Sequence, residues 1–385
     1  MPKSVPENLS AFRLSQLHLA MQHDKLDALL VTDVADIRWL TNFHNVFDKE
    51  PAHMLLVPTE PDGDIFGYIK TDSRYSEAMR INQEAEFWQI DDKLKSQSEW
   101  AVALLNKINK KKDKKVLKVG IDERLALNRF RALQNAIVNK ATCEVALEEL
   151  ASYLMNMRAI KHASEIEILK QAQEITDAAF SQILKFVKPG MTEIRIASEL
   201  EYIMRNLGGE GLAFLSIVAS GPNSALPHAI PGQREVCKGD FLLFDFGACK
   251  GDYCSDMSRT IVIGKASRKQ KHIFQTVLMA QQEAMSLIKA DVAANIPALA
   301  VNEIFKERGY ENLIHGLGHS VGIEVHELPV LSVKAKTKLV AGNIVTVEPG
   351  IYIQGFGGVR IEDFGEVTAS GFMPFTKSQH ELIEL

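Results

Sequence analysis

The stretch Phe241–Gly264, FLLFDFGACKGDYCSDMSRTIVIG, decides how the rest of the chain is read. It has the pattern of two β-strands joined by a turn, and each strand region carries one aspartate where an apolar residue is expected. Asp245 sits inside Leu242-Leu243-Phe244-Asp245-Phe246, and Asp256 comes just before Arg259-Thr260-Ile261-Val262-Ile263. An ionised carboxylate in a buried strand is costly unless a cation or a hydrogen-bond network compensates it. Two of them on neighbouring strands repel, and a divalent cation is the usual remedy. Further ligands are therefore to be sought in the C-terminal half.

Three segments supply candidates. His315-Gly316-Leu317-Gly318-His319-Ser320-Val321-Gly322, followed by Val325-His326-Glu327, sets histidines among glycines that let the backbone turn tightly and approach a ligand closely. Val345-Thr346-Val347-Glu348-Pro349-Gly350 ends a β-prone run on a glutamate, and Val359-Arg360-Ile361-Glu362-Asp363 places another inside a strand pattern. Singly, each is weak: a strand glutamate usually faces solvent, and a lone histidine is usually a satisfied core or surface residue. Together, carboxylates at 245, 256, 348 and 362 with a histidine at strand ends and glycine turns are hard to explain without a metal.

At 385 residues two cores are expected rather than one. The pattern changes near residue 155, which divides the chain into 1–155 and 156–385. A net charge of −5 argues against nucleic acid or an anionic membrane as partner. No apolar run approaches the roughly 20 residues that span a bilayer, and the opening MPKSVPENLSAFRLSQ lacks a signal-peptide core. Cys143, Cys237, Cys249 and Cys254 form no CxxC pair and no zinc-ribbon spacing, so a reduced, cytoplasmic protein is expected. Cys249 and Cys254 flank the aspartate turn, where a thiolate ligand is one reading and a small buried hydrophobe the plainer one.

Residues 7–24 place Leu9, Phe12, Leu17, Leu19 and Met21 at helical spacing, and short apolar runs at 28–31, 54–57, 65–69 and 116–121 alternate with polar turns. That is the pattern of an α/β domain. Lys107–Lys115, KINKKKDKK, reads as a solvated loop, and a second helical region is expected from about 124 past Met157. Ser164-Glu165-Ile166-Glu167 has the form of a capping box opening a helix with Ile166, Leu169, Ala172, Ile175 and Ala179 on one stripe. Helices at about 164–187, 192–207 and 268–288 are read with strands at about 214–220, 241–248, 258–264, 344–353 and 358–368. They predict an α+β second domain.

SALPHAIP at 224–231, the FDFG…YCSDMSRT hairpin, HGLGHSVGIEVHE, VEPGIYI and GVRIED together resemble the pita-bread metallopeptidases, and within them the Xaa-Pro peptidases, aminopeptidase P and prolidase. TDVADIRWLTNF at 32–43 and TDSRY at 71–75 are similar to the N-terminal domain of the same proteins, so the likeness covers nearly the whole chain. The resemblance implies a creatinase-like α/β domain followed by a catalytic pita-bread α+β domain. It implies that Asp245 binds one metal, that Asp256 and Glu362 bridge two, and that His319 and Glu348 hold the second. Carboxylates with one imidazole and no thiolate suit Mn²⁺, with Co²⁺, Zn²⁺ or Fe²⁺ as alternatives. Two such ions about 3.5–4 Å apart lower the pKa of a water between them. By the same likeness Glu348 takes that water's proton to the leaving nitrogen, and His228 hydrogen-bonds the substrate or shuttles a proton. His326 polarises the scissile carbonyl or stabilises the oxyanion. Arg360, two positions before Glu362 and so on the same strand face, orients that carboxylate or meets a substrate carboxylate. His315 lines the pocket. The implied reaction is hydrolysis of the Xaa-Pro bond in dipeptides or at the N-terminus of short peptides, by a homodimer whose N-terminal domain limits substrate length.

Gly318-His319-Ser320-Val321-Gly322 also fits Gly-x-Ser-x-Gly, the nucleophile elbow of serine hydrolases, but no helix pattern follows it and the carboxylates are left without a role. A hydrolase or lyase acting on another small molecule is the alternative within the metal scaffold. Creatinase-like and non-catalytic relatives lose the ligands this chain keeps, and a methionine aminopeptidase does not need the N-terminal domain. Two departures from the family habit, Asp252 for glycine and Ser258 for threonine, are expected to reshape the turn without touching the ligands. Dipeptide or longer peptide is left open, to be decided by how residues 44–53, HNVFDKEPAH, close the site.

Overall fold

The computed structural model describes residues 9–385 except Asn45, Lys49 and Leu94. Residues 7 and 8 of the expected first helix, and Asn45 and Lys49 of the 44–53 segment, lie outside the described residues. The chain divides into two compact units, Met1–Asn156 and Met157–Leu385. No helix among the described residues is long and apolar enough to cross a membrane.

In the first unit six strands form one sheet, in the order Trp88–Asp91, Gly67–Lys70, Met54–Pro58, Ala28–Val31, Val116–Asp122, Glu144–Leu150. Ala28–Val31 runs antiparallel to Met54–Pro58 and parallel to Val116–Asp122. Its four apolar residues are all buried, as befits a central strand. Ala28 and Leu30 pack with Trp100, Leu105 and Leu133 of the helices Gln97–Lys112 and Leu127–Lys140. Glu144–Leu150 corrects the expected continuous helical region, because it pairs parallel with Val116–Asp122. Val145 and Leu147 reach the core at a period of two, while Glu144, Glu148 and Glu149, strong helix formers, hide that period in the sequence. Lys107–Lys112 corrects the loop reading: these residues are the last turns of a helix, where cations suit the free carbonyls. Lys107 and Lys111 reach Asp62 at 2.9 and 2.6 Å, and Lys112 and Lys114 reach Asp27 at 3.1 and 2.7 Å.

In the second unit, the helices Ala163–Phe186 and Glu193–Asn206 pack on a sheet ordered Met257–Val262, Phe241–Phe246, Ile217–Ser220. The helices Arg268–Leu287 and Ile296–Glu307 share a second core with Val345, Val347, Ile351 and Val359. Ile296–Glu307 adds to the three expected helices, with Pro297 in its first turn. Capping of Ala163–Phe186 differs from expectation. His162 is the N-cap and Glu165 closes the box, its Oε2 accepting from the His162 backbone N–H at 2.7 Å. Glu165 Oε1 also accepts the Tyr253 hydroxyl at 2.6 Å, a tertiary contact that favours this glutamate over Glu167.

Two expected strands are each broken, and the breaks build the site. Residues 344–353 split into Ile344–Val347 and Gly350–Ile353, and 358–368 into Gly357–Arg360 and Asp363–Val367. Ile344–Val347 pairs with Asp363–Val367, whereas Gly350–Ile353 pairs with Gly357–Arg360 in a different sheet. The hairpin therefore changes sheet at Glu348-Pro349 on one side and Ile361-Glu362 on the other. Pro349 has no N–H to give a ladder, which ends the pairing there. Both glutamates stand at the corner.

Candidate metal centre

Asp245 lies in the middle strand of its sheet, opposite Ser258 on one side and Ile217 on the other. Asp256 enters at the start of Met257–Val262, after a two-residue turn in which Gly251 and Asp252 both have positive φ, +52° and +66°. Two left-handed residues match the twist of a tight hairpin, and a short polar side chain such as that of Asp252 tolerates that conformation better than most. His319 rides on the short strand Gly318–Ser320. A Cβ on Gly318 would stand 2.0 Å from the Thr346 carbonyl oxygen, so only glycine lets this strand lie against Ile344–Val347. The His319 backbone N–H then donates to Thr346 Oγ1 at 3.0 Å, and the Glu348 N–H to the Leu317 carbonyl at 2.8 Å. Gly318→Ala is expected to cost ~2 kcal/mol or more of stability by overpacking and to separate His319 from Glu348; unchanged urea unfolding would refute this.

The side chains converge. His319 Nε2 is 3.3 Å from Glu348 Oε1 and 3.7 Å from Asp256 Oδ2. Asp256, His319 and Glu362 each offer an atom within 4.8 Å of the others. Arg360, expected to orient Glu362 or meet a substrate carboxylate, makes its direct carboxylate contact with Asp245. It is 2% exposed, and its guanidinium binds Asp245 Oδ2, the Tyr352 hydroxyl at 2.7 Å, Ser258 Oγ at 2.8 Å and the Pro227 carbonyl at 3.2 Å. The carboxylate it hydrogen-bonds is Asp245, and its hydrogen-bonded path to Glu362 runs through Ser258, whose hydroxyl donates to Glu362 Oε2 at 2.9 Å. The strand ends at Arg360, so the same-face alternation does not carry on to Glu362. So engaged, the guanidinium has little left for a substrate carboxylate. Ser258 likewise corrects the expectation that it would stand clear of the ligands.

The residues fit a metal centre by two observations. Asp245 Oδ1 is buried without a hydrogen-bond partner. The carboxyl groups also crowd one another: burial and then Asp245 push Asp256 well above the carboxylate range, and burial and then Asp256 do the same to Glu362. Burial alone would lower the His319 imidazole, but its hydrogen bond to Glu348 and the charges of Glu348 and Asp256 carry it up to about 9. A divalent cation relieves this repulsion and uses the unsatisfied oxygen.

Residues 167–369 match Metallopeptidase family M24, and residues 13–160 match the Creatinase/Prolidase N-terminal domain. The chain belongs to metallopeptidase family M24. It is 40% identical over 237 residues to the Xaa-Pro dipeptidase of Pyrococcus furiosus, covering 61% of this chain and 68% of that one. The solved Xaa-Pro dipeptidase from Bacillus anthracis superposes with a TM-score of 0.86 at 35% identity, over 98% of this chain and 100% of that one. The X-Pro aminopeptidase from Thermotoga maritima gives 0.81 at 30% identity, over 97% and 100%. The fold is thus an N-terminal creatinase-type domain followed by a pita-bread domain, as the sequence motifs implied.

Around the M24 cluster stand the other histidines. The His326 ring lies 4.3 Å from that of His319, edge on, and is exposed. His315 Nε2 is 3.0 Å from the Tyr352 hydroxyl, and its Nδ1 is 2.7 Å from the Gly316 carbonyl oxygen. His228 is exposed on the segment after the 3₁₀ turn Gly221–Ala225. Tyr352, not singled out by sequence reading, links His315 to Arg360, and burial raises its hydroxyl to about 12. No charge or glycine marks it in the sequence; only the pairing of Gly350–Ile353 with Gly357–Arg360 brings it here. Cys249 and Cys254 are not joined in a disulfide, their Sγ atoms lying 3.3 Å apart, and neither belongs to the ligand group found among the described residues. Ser320 is buried, its hydroxyl accepting from Lys161 Nζ at 2.7 Å, and the next regular element is the strand Glu327–Leu331 rather than the helix a nucleophile elbow needs.

Proposed function

We propose that this chain is a dinuclear metal-dependent peptidase that hydrolyses the bond before proline in short peptides. The observation that carries the reading is the corner hairpin, which sets Glu348 and Glu362 against Asp256 and His319 beside an Asp245 with an unsatisfied oxygen. Relatives in the same family are Xaa-Pro dipeptidases and an X-Pro aminopeptidase, which supports proline-containing substrates. Asp245, Asp256, His319, Glu348 and Glu362 would hold two divalent ions, Mn²⁺ first by donor type. When bound, such ions supply a water acidic enough to lose a proton near neutral pH.

The chain's own residues do the rest. Glu348 Oε1, 3.3 Å from both His319 Nε2 and Thr346 Oγ1, is the oxygen placed to accept a proton and return it to the leaving nitrogen. That return matters for proline, whose amide nitrogen is tertiary and brings no proton of its own. Arg360 holds Asp245 in place and with Ser258 steadies Glu362, which makes it a positioning residue. His326 presents an exposed imidazole beside His319 for the scissile carbonyl oxygen, and His228 offers another to the peptide. A homodimer is the expected assembly, in keeping with the family likeness.

The test is release of amino acid from Ala-Pro and from Ala-Pro-Pro-Ala, with and without Mn²⁺. Activity is expected to vanish with a chelator, to return with Mn²⁺ and to survive a serine-directed inhibitor. No cleavage of either peptide would end the proposal, and the faster of the two decides between dipeptidase and aminopeptidase. His228→Ala is expected to lower kcat roughly a hundredfold, the scale of a lost proton-transfer or hydrogen-bonding group, with bound metal unchanged. Normal turnover in that variant would remove His228 from the mechanism.

A further inference from the structure

We propose that Lys161 is a positioning residue that sets His326 against His319. The inference rests on the peptidase reading above, in which His319 holds metal and His326 faces the substrate. Lys161 is 5% exposed and takes no part in the chemistry described so far. Its Nζ donates to Ser320 Oγ at 2.7 Å and to Glu327 Oε2 at 3.0 Å. Ser320 directly follows His319, Glu327 directly follows His326, and Ser320 and Glu327 are register partners across the two short strands. One buried ammonium thus ties together the two residues that neighbour the two histidines.

The tie is needed at this place. The strand register shifts between His319 and Ser320, so ladder hydrogen bonds alone do not fix this end of the pair. Lys161 thereby holds Ser320 and Glu327 by their side chains, while the rings of His319 and His326, each one residue earlier, stand 4.3 Å apart at 63°. Arg158 holds the far side of Glu327, binding its Oε1 and, at 3.0 Å, Glu324 Oε2. Gly322 lets the loop close over this carboxylate, since a Cβ there would come 2.4 Å from Glu327 Oε2. Burial would raise Glu327, but Lys161 and Arg158 bring it down to about 2, so it keeps its charge at working pH. A buried ion network is weak evidence for stability, and fixing register is its best-attested use.

A double-mutant cycle separates this from a merely structural role. Ala-Pro hydrolysis at saturating Mn²⁺ is measured for wild type, Ser320→Ala, His326→Ala and the double variant. Ser320→Ala is expected to lower kcat roughly tenfold in the wild type, as for a misplaced catalytic group. In the His326→Ala background it should cost less than about twofold, because the two changes act through one group. Equal losses in both backgrounds, or no loss in the wild type, would overturn the inference. Lys161→Met should follow the same pattern; if it fails to fold, Ser320→Ala, which keeps the ion pairs intact, carries the test alone. The His326 Hε1 resonance, assigned by its loss in His326→Ala, should move in Ser320→Ala. An unmoved resonance overturns the inference whether or not proline peptides are cleaved. A moved resonance in a protein that cleaves none keeps the positioning and removes the peptidase reading.

Discussion

Asp256→Ala is expected to abolish proline-peptide turnover and to lower bound metal, while the protein keeps its fold and melts no earlier in chelator. The loss of activity follows from the central place of Asp256, 3.7 Å from His319 and grouped with Glu362. The retained fold follows from electrostatics. Asp256 is buried, and burial together with Asp245 works against its charge, so alanine removes a repulsion at the expense of a small cavity. Sites held against their own stability in this way are typical where function requires them. Metal per chain by elemental analysis, kcat and a thermal melt in chelator check the three parts. Undiminished turnover, or full metal content, would dismantle the proposed centre.

Arg360→Met is expected to do the reverse to stability. It leaves the Asp245 carboxylate, the Tyr352 hydroxyl, Ser258 Oγ and the Pro227 carbonyl without the guanidinium that joins them. Breaking a buried ion pair from one side costs ~3–5 kcal/mol, and turnover should fall at least a hundredfold as Asp245 and Glu362 lose their orientation. Added Mn²⁺ should recover part of the stability, because an ion on Asp245 replaces the missing counter-charge. Arg360→Lys keeps the charge but not the planar set of donors, and it should fall between wild type and Arg360→Met. Urea unfolding with and without Mn²⁺ reads this directly. An Arg360→Met protein as stable as wild type would show that the guanidinium is not the organiser described here.

Much of the site was legible before any fold was known. Asp245 inside an apolar run, Glu348 before Pro349 and His319 between glycines each break a local pattern, and such breaks are visible because strand burial makes an acid costly. The parts that were misread share one cause. Glu362 and Arg360 looked like same-face neighbours on one strand, but the strand ends between them and pairs with a different sheet on each side. Ser258 looked incidental until the corner between Gly357–Arg360 and Asp363–Val367 brought Glu362 within 2.9 Å. Glu144–Leu150 looked helical because glutamate favours helix, and its pairing with Val116–Asp122 overrode that preference.

By itself, then, the order of residues determined which side chains are unlike their surroundings, and so which acids and histidines must find compensation. It determined the apolar stripes and runs that make the three cores described above. The tertiary structure alone decided where strands break, which carboxylate Arg360 serves, and that Lys161 joins residues 159 and 166 positions away. The physical reason is range: propensity and periodicity act over a few residues, whereas hydrogen bonds and charges pair whatever the fold brings together.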